Sequence, residues 1–295
     1  MIFFGSSAFA VPSLLEIARA HDVVGVYTQA DRPAGRGLKL TPTPVKTAAA
    51  AASMPVFTPE KLDAAFCEAT RALLPDVLVT ASYGKILPRT LLRVPALGAL
   101  NVHPSLLPEY RGATPIQAAL RDGLSATGVS IIWMNERMDA GDIALAQTVA
   151  IKPDDDFESL HDRLALVSAA LLRSALHELA AGTLGRVAQD ETKATFTRPI
   201  VKDDLRLAFD DASRSVNVVR SLSPKPGAWL ELNGTRLKVL EARAEDGARA
   251  TPGTVVSLDG DGPLIACRTG SLRLLRVVPA GKPPMSGADF ARSMR

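Results

Sequence analysis

The sequence predicts an α/β chain in two parts, a Rossmann-like domain with a mainly parallel sheet followed by a small C-terminal OB-like β-barrel. Three observations carry this. From Met1 to about Ala150, short runs rich in Val and Ile alternate with segments of helical period, the pattern of βαβ units. After Gly182 the texture changes to alternating strands divided by Gly, Asp and Pro turns. The length of 295 residues accommodates two domains at roughly 150 residues each, enough for each to bury a core.

The elements follow in order. Residues 2–4, 23–28, 76–81, 99–103 and 128–134 read as strands. Pro12 suits the first turn of a helix running to about Ala20, and Thr114 with Pro115 opens another, Thr as N-cap and Pro at the first helical position. Ala48 to Ala52 reads as helix, and residues 157–181 form a long Leu/Ala-rich helix with Gly182 as its stop. Residues 186–203 are expected to be a linker between a domain at 1–185 and a second at 204–295. In the latter, the run from Trp229 to Val239 alternates apolar and polar residues about Asn233-Gly234, a hairpin signal. Strands at 254–258, 264–268 and 271–278 complete the expected barrel, a class that includes many oligonucleotide binders.

Composition excludes several classes. With 47% hydrophobic and 22% charged residues the chain is neither disordered nor fibrous. Its two cysteines, Cys67 and Cys267, fit neither a disulfide framework nor a zinc site, and point to a reducing compartment. The apolar stretch from Met1 to Ala10 has no basic residue before Arg19, so it reads as a buried strand and not a secretory signal. No apolar run reaches the roughly 18 residues that span a bilayer, and the cytoplasm is the expected location. Residues 201–295 hold 15 Lys+Arg against 11 Asp+Glu, the source of the overall excess of +3. That excess suits a polyanion, although a fluctuation of a few surface charges produces the same pattern.

An open α/β sheet binds ligands beyond the carboxyl ends of its strands. The first such loop, Gly5 to Phe9, lacks the dinucleotide fingerprint, and no P-loop occurs anywhere. The strand ending in Asn101-Val102-His103 places Asn101 and His103 on one face, where an amide and an imidazole can together bind a carbonyl oxygen and handle a proton. Taken alone, that pair is more often a structural histidine beside a turn residue. Asp139, in the turn Met138 to Asp142 after the next strand, is within reach to hold the imidazole tautomer, whereas Asp142 reads as a turn former. His21, His161 and His177 read as structural. Residues 28–44 make an unusually long connection in which Arg32, Arg36 and Lys39 can meet phosphates, with glycines on both sides of Arg36.

Taken together, Asp31 to Gly37, Asn101 to His103 with Ser105-Leu106-Leu107-Pro108, Tyr110 to Gln117 and Asp139 to Asp142 resemble the methionyl-tRNA formyltransferase family. The resemblance spans essentially the whole chain, since Gln189 to Thr192, Pro226 to Trp229 and Pro279 to Lys282 are similar to the family's linker and C-terminal domain. Ser105 to Pro108 with the downstream Asp139 is shared by the wider group using 10-formyltetrahydrofolate, glycinamide ribonucleotide formyltransferase included, and so points to the chemistry but not the acceptor. The acceptor follows from the loop at 31–37 and the appended barrel. The resemblance implies a monomeric enzyme that moves the formyl group of 10-formyltetrahydrofolate to the α-amine of methionyl-initiator tRNA, without a metal. It implies Asn101, His103 and Asp139 as catalytic, and Ser105, Leu106, Leu107 and Pro108 with Gly84, Lys85, Ile86 and Leu87 as the folate pocket. Arg36 matches the arginine of the family's mobile loop, which reads the weakened first base pair of initiator tRNA, with Arg32 and Lys39 beside it. Departures from the family pattern fall at Ala30, Glu109, Phe209 and Lys225, and none touches the three catalytic positions.

Overall fold

The computed structural model describes residues 1–34, 37–247 and 250–295. They form two compact units. Met1–Gly112, Thr127–Ala150 and His161–Phe196 make the first, while Ala113–Ala126, Ile151–Leu160 and Thr197–Arg295 make the second. Two short segments from the middle of the chain thus belong with the C-terminal residues.

The first unit is built on a seven-stranded sheet of β1 (Ile2–Gly5), β2 (Gly25–Tyr27), β3 (Val56–Phe57), β4 (Leu78–Ala81), β5 (Ala99–His103), β6 (Ala126–Trp133) and β7 (Ile143–Ala150), in the order β7-β6-β5-β4-β1-β2-β3. The ladders from β3 through β5 are parallel, and β6 runs antiparallel to β5. Ile2, Phe3 and Phe4 are fully buried, so the apolar N-terminal run is a central strand covered on both faces, as parallel strands require. Strand order reverses between β1 and β4, and the crevice at the carboxyl ends of those two strands is the topological switch point.

Two strands had no clear signal. β3 has two residues, and Ala144, Ala146 and Ala150 dilute the β-branched content by which β7 would be read. Helix α1 (Val11–Ile17) stops earlier than expected, because Arg19 and Ala20 bond back to Glu16 and Ile17 in tighter i−3 turns. The connection at 28–44 contains a small antiparallel hairpin, Arg32–Ala34 against Lys39–Thr41, where the sequence suggests only a loop. Pro33 gave no sign of it, since proline is tolerated only on a strand with a free edge. Helix α2 (Pro44–Ala51) begins at Thr43, whose hydroxyl accepts from Lys46 N at 3.0 Å. The long helix Phe157–Ala180 buries Leu160, Leu164, Ser168, Leu172 and Leu176, and Gly182 follows with φ +69°.

In the second unit β8 (Ala228–Leu232), β9 (Thr235–Glu245), β10 (Val255–Ser257), β11 (Leu264–Ala266), β12 (Ser271–Pro279) and β13 (Met285–Ser286) are antiparallel, ordered β8-β9-β12-β11-β10 with β13 on β12. Asn233 and Gly234, at φ +51° and +72°, make the two-residue turn between β8 and β9 that their identities anticipate. This is the antiparallel frame of an OB-like domain. Among the described residues its ladder does not return from β10 to β8.

A helix absent from the expected elements, Ala212–Leu222, covers the core of Leu230, Val239, Ile265, Leu272 and Leu274. Its signal was present: Asp211 caps it through Arg214 N at 2.8 Å, and Ala212, Ser215, Val219 and Leu222 are buried at helical spacing. The helix Pro115–Arg121 packs against it. Thr114 precedes Pro115 as expected but does not cap with its side chain, since its hydroxyl donates to Arg198 O at 2.9 Å.

On β9 and β12, Glu245 receives Arg273 Nη2 at 2.7 Å and Arg243 Nη2 at 2.8 Å. These two guanidiniums pull its carboxyl from 4.5 to about 2. A depressed carboxylate contributes stability above its unfolded pKa and loses it as pH falls through the folded value. Urea midpoints of the intact chain should therefore fall between pH 4.5 and about 2, and Glu245→Gln should flatten that fall; an equally steep fall in the variant would assign the effect to other carboxyls.

Candidate active site

β5 ends with its side chains alternating, so Asn101 and His103 share a face. The neighbouring parallel strand places Thr80 in register with Asn101, and Thr80 Oγ1 donates to Asn101 Oδ1 at 2.6 Å. With its oxygen so occupied, the amide turns its nitrogen outward. Asn101 Nδ2 donates to Asp139 Oδ1 at 3.3 Å.

Asp139 lies in the turn between β6 and β7 with φ +51°, a left-handed conformation that costs an L-residue about 1 to 2 kcal/mol and that Asp tolerates better than most. Its Oδ2 accepts from Gly112 N at 2.8 Å and stands 3.6 Å from His103 Nδ1. His103 is 4% exposed, and its Nε2 is 3.0 Å from the Tyr110 carbonyl. A carbonyl oxygen only accepts, so that contact requires the proton on Nε2 and leaves Nδ1 as the face turned to Asp139. The structure thus brings Asn101, His103 and Asp139 together at one strand end. An amide donor, an imidazole and a carboxylate in this arrangement can bind a developing oxyanion and move a proton.

The segment after β5 is pinned by one buried hydroxyl. Ser130 Oγ donates to Ser105 O at 2.8 Å and accepts from Leu107 N at 3.1 Å, while Ser105 Oγ donates to Glu109 O at 2.6 Å. Leu107 is buried in the core; Leu106 and Pro108 are half-buried. Leu106 lies over Gly128, where a Cβ would come within 2.4 Å of its Cδ2 and 2.3 Å of Gln147 O. After β4, Gly84 has φ +79° and leaves room for Gln29, whose Nε2 would be 2.5 Å from a Cβ there. Lys85 Nζ donates to Pro59 O and Glu60 O at 2.9 and 3.0 Å, Leu87 is buried with Leu91 and Tyr83, and Ile86 is 73% exposed.

Arg32 and Lys39 sit on the small hairpin that follows β2. Arg32 Nη2 donates to Gln29 Oε1 at 2.8 Å, and Lys39 is exposed. Arg36 lies outside the described residues. Sequence reasoning missed Thr80, the Tyr110 carbonyl and the Gly112 amide. Thr80 is hidden in a run that reads as a buried strand, and backbone groups have no sequence signature.

The chain belongs to the formyl transferase family: the family model for formyl transferase matches residues 2–176, and that for its C-terminal domain matches residues 199–295. Its curated relatives are more specific. The methionyl-tRNA formyltransferase of Listeria innocua is 43% identical over 294 residues, covering 98% of this chain and 94% of that protein. Among solved structures, an N-formyltransferase of Helicobacter canadensis in complex with folinic acid and dTDP-3-aminofucose superposes with a TM-score of 0.70 at 16% identity, covering 92% of this chain and 98% of that one. HypX of Aquifex aeolicus in complex with tetrahydrofolic acid gives 0.66 at 18%, covering 98% of this chain; this chain spans 46% of HypX. At those identities the two structures show a shared fold.

The close approach at Gly128 yields a direct test. Gly128→Ala should destabilise the chain by about 1 to 3 kcal/mol through overpacking against Leu106 and a backbone carbonyl. Denaturant unfolding measures it, and an unchanged midpoint would show that both Leu106 and the Gln147 carbonyl give way freely.

Proposed function

We propose that this chain transfers the formyl group of 10-formyltetrahydrofolate to the α-amino group of methionyl-initiator tRNA, yielding N-formylmethionyl-tRNA and tetrahydrofolate, and that it works as a monomer in the cytoplasm. The observation that carries the reading is the convergence of Asn101, His103 and Asp139 in a chain whose curated relatives are methionyl-tRNA formyltransferases. No described helix is long and apolar enough to cross a membrane.

The formyl donor supplies an electrophilic carbon whose oxygen becomes negative as the amine adds. Asn101 Nδ2, aimed outward by Thr80, is the donor for that oxygen, and such a preorganised donor is worth about 100- to 1,000-fold in rate. The amine must lose a proton, and His103 Nδ1 takes it, directly or through a water held by Asp139. The imidazolium so formed faces the Asp139 carboxylate at 3.6 Å, while its Nε2 stays on the Tyr110 carbonyl. The same proton then serves the departing folate nitrogen, as microscopic economy of one acid–base group allows.

The folate fits the residues present. Leu106 supplies a half-buried apolar wall, held at fixed height by Ser130, and Gly84, with the Gln29 amide packed against it, turns the chain after β4 at the switch-point crevice. Ser105, Leu107, Pro108, Lys85, Ile86 and Leu87 shape the two segments that bear these groups. For the tRNA, exposed Arg32 and Lys39 present positive charge on the hairpin, with Arg36 as the residue that reads the end of the acceptor stem. In the second unit, Arg206 and Arg236 lie 5.7 and 4.3 Å from the Trp229 ring, a cationic and aromatic surface suited to a nucleic-acid backbone.

The deciding assay offers 10-formyltetrahydrofolate with methionyl-initiator tRNA, methionyl-elongator tRNA and glycinamide ribonucleotide in parallel. Selective formylation of the initiator is expected; turnover of the small amine alone would overturn the acceptor. His103→Ala should lower kcat by about 100-fold or more with the fold and tRNA binding retained, and a rate like that of the unaltered chain would remove His103 from the mechanism. Binding of tRNA should weaken steeply as salt is raised, and a flat response would count against phosphate contacts.

A further inference from the structure

The Asp139 turn is held from behind by a side chain to which the mechanism above gives no part. Gln189 Nε2 donates to two backbone carbonyls, those of Asp139 at 2.8 Å and Gly141 at 2.7 Å. Gln189 Oε1 accepts from Arg111 Nε at 3.1 Å and Nη2 at 2.7 Å. Because a guanidinium only donates and a carbonyl only accepts, the amide has one possible orientation. Arg111 is 2% exposed and is itself anchored on Glu191, Nη1 to Oε2 at 3.0 Å and Nη2 to Oε1 at 3.1 Å.

These contacts close a ring around the site. Arg111 follows Tyr110, whose carbonyl meets His103 Nε2, and precedes Gly112, whose N–H meets Asp139 Oδ2. The backbone of residues 110–112 therefore touches both the histidine and the aspartate, and its central side chain reaches through Gln189 to the aspartate's own backbone. One carboxamide links the two arms.

We propose that Gln189 is a positioning residue for formyl transfer, acting through Asp139; this rests on the reading that Asp139 takes part in the reaction. The left-handed turn at Asp139 is intrinsically unfavourable, and the two carbonyls it presents need donors. Without the Gln189 amide they have lost those donors, the turn relaxes, and the carboxylate leaves its place between Asn101 Nδ2 and His103 Nδ1. A displacement of about 1 Å there is worth on the order of 100-fold in rate, while binding of either substrate elsewhere is untouched. A role in stability alone would leave kcat as it is in any variant that folds.

The discriminating substitution is Gln189→Glu in the full chain. It keeps an acceptor for Arg111, now a charged one, but replaces both N–H donors with an oxygen facing two carbonyls. The expected result, with 10-formyltetrahydrofolate and methionyl-initiator tRNA, is a fall in kcat of about tenfold or more with both KM values within about threefold. In an Asp139→Asn background the same change should add no more than about a twofold loss, since the group it acts through is already altered. A kcat within about twofold of the parent, KM values that rise in step, or an undiminished loss in the Asp139→Asn background would each overturn the proposal. If Asp139→Asn alone is as active as the parent, the catalytic reading fails; if it is slow and Gln189→Glu is not, only the role of Gln189 falls. Should the Glu variant not fold, Gln189→Met is judged by the same criteria, and failure of both to fold assigns Gln189 to stability and overturns the proposal.

Discussion

The arrangement depends on one carboxylate. Asp139 divides its two oxygens, one to the Asn101 amide and the other to the Gly112 amide and the His103 ring. It thereby orients two side chains of β5 from a turn on a neighbouring connection. Each of those side chains is also held from its far side, Asn101 by Thr80 and His103 by the Tyr110 carbonyl. The carboxylate thus meets groups whose orientations are already set, and preorganisation of this kind is what gives a few donors a large effect on rate.

The sheet explains why such a cluster can exist. Parallel pairing of β4 and β5 brings Thr80 opposite Asn101, and the antiparallel pairing of β5 with β6 brings Ser130 opposite His103. Ser130 then ties down the backbone at Ser105 and Leu107, so β6, the partner of the strand that bears the histidine, fixes the segment that follows it and carries Leu106. Rigid strands place the clustered side chains, and the connections after β2 and β4 carry charged and apolar residues beyond the carboxyl ends of those strands.

Much of this was legible in the sequence. The strands from β1 to β6 other than β3, the long helix ending before Gly182 and the hairpin about Asn233-Gly234 follow from periodicity and turn chemistry, because those signals are local. The helix Ala212–Leu222 was equally local, and its Asp cap and apolar spacing were overshadowed by the strand-like residues on either side. β3 and the pairing of Arg32–Ala34 with Lys39–Thr41 were not legible, since two or three residues beside prolines or exposed leucines carry no period.

By itself the sequence determined the class of fold, the family resemblance and the identity of the side chains able to do the chemistry, because residue type sets what a group can donate, accept or bury. Tertiary structure alone decided which of them meet and in what state: that Asn101 presents its nitrogen, that His103 carries its proton on Nε2, and that Gln189, far along the chain, stands behind Asp139. Those outcomes depend on register between strands and on backbone carbonyls and amides, which every residue possesses and no residue name discloses.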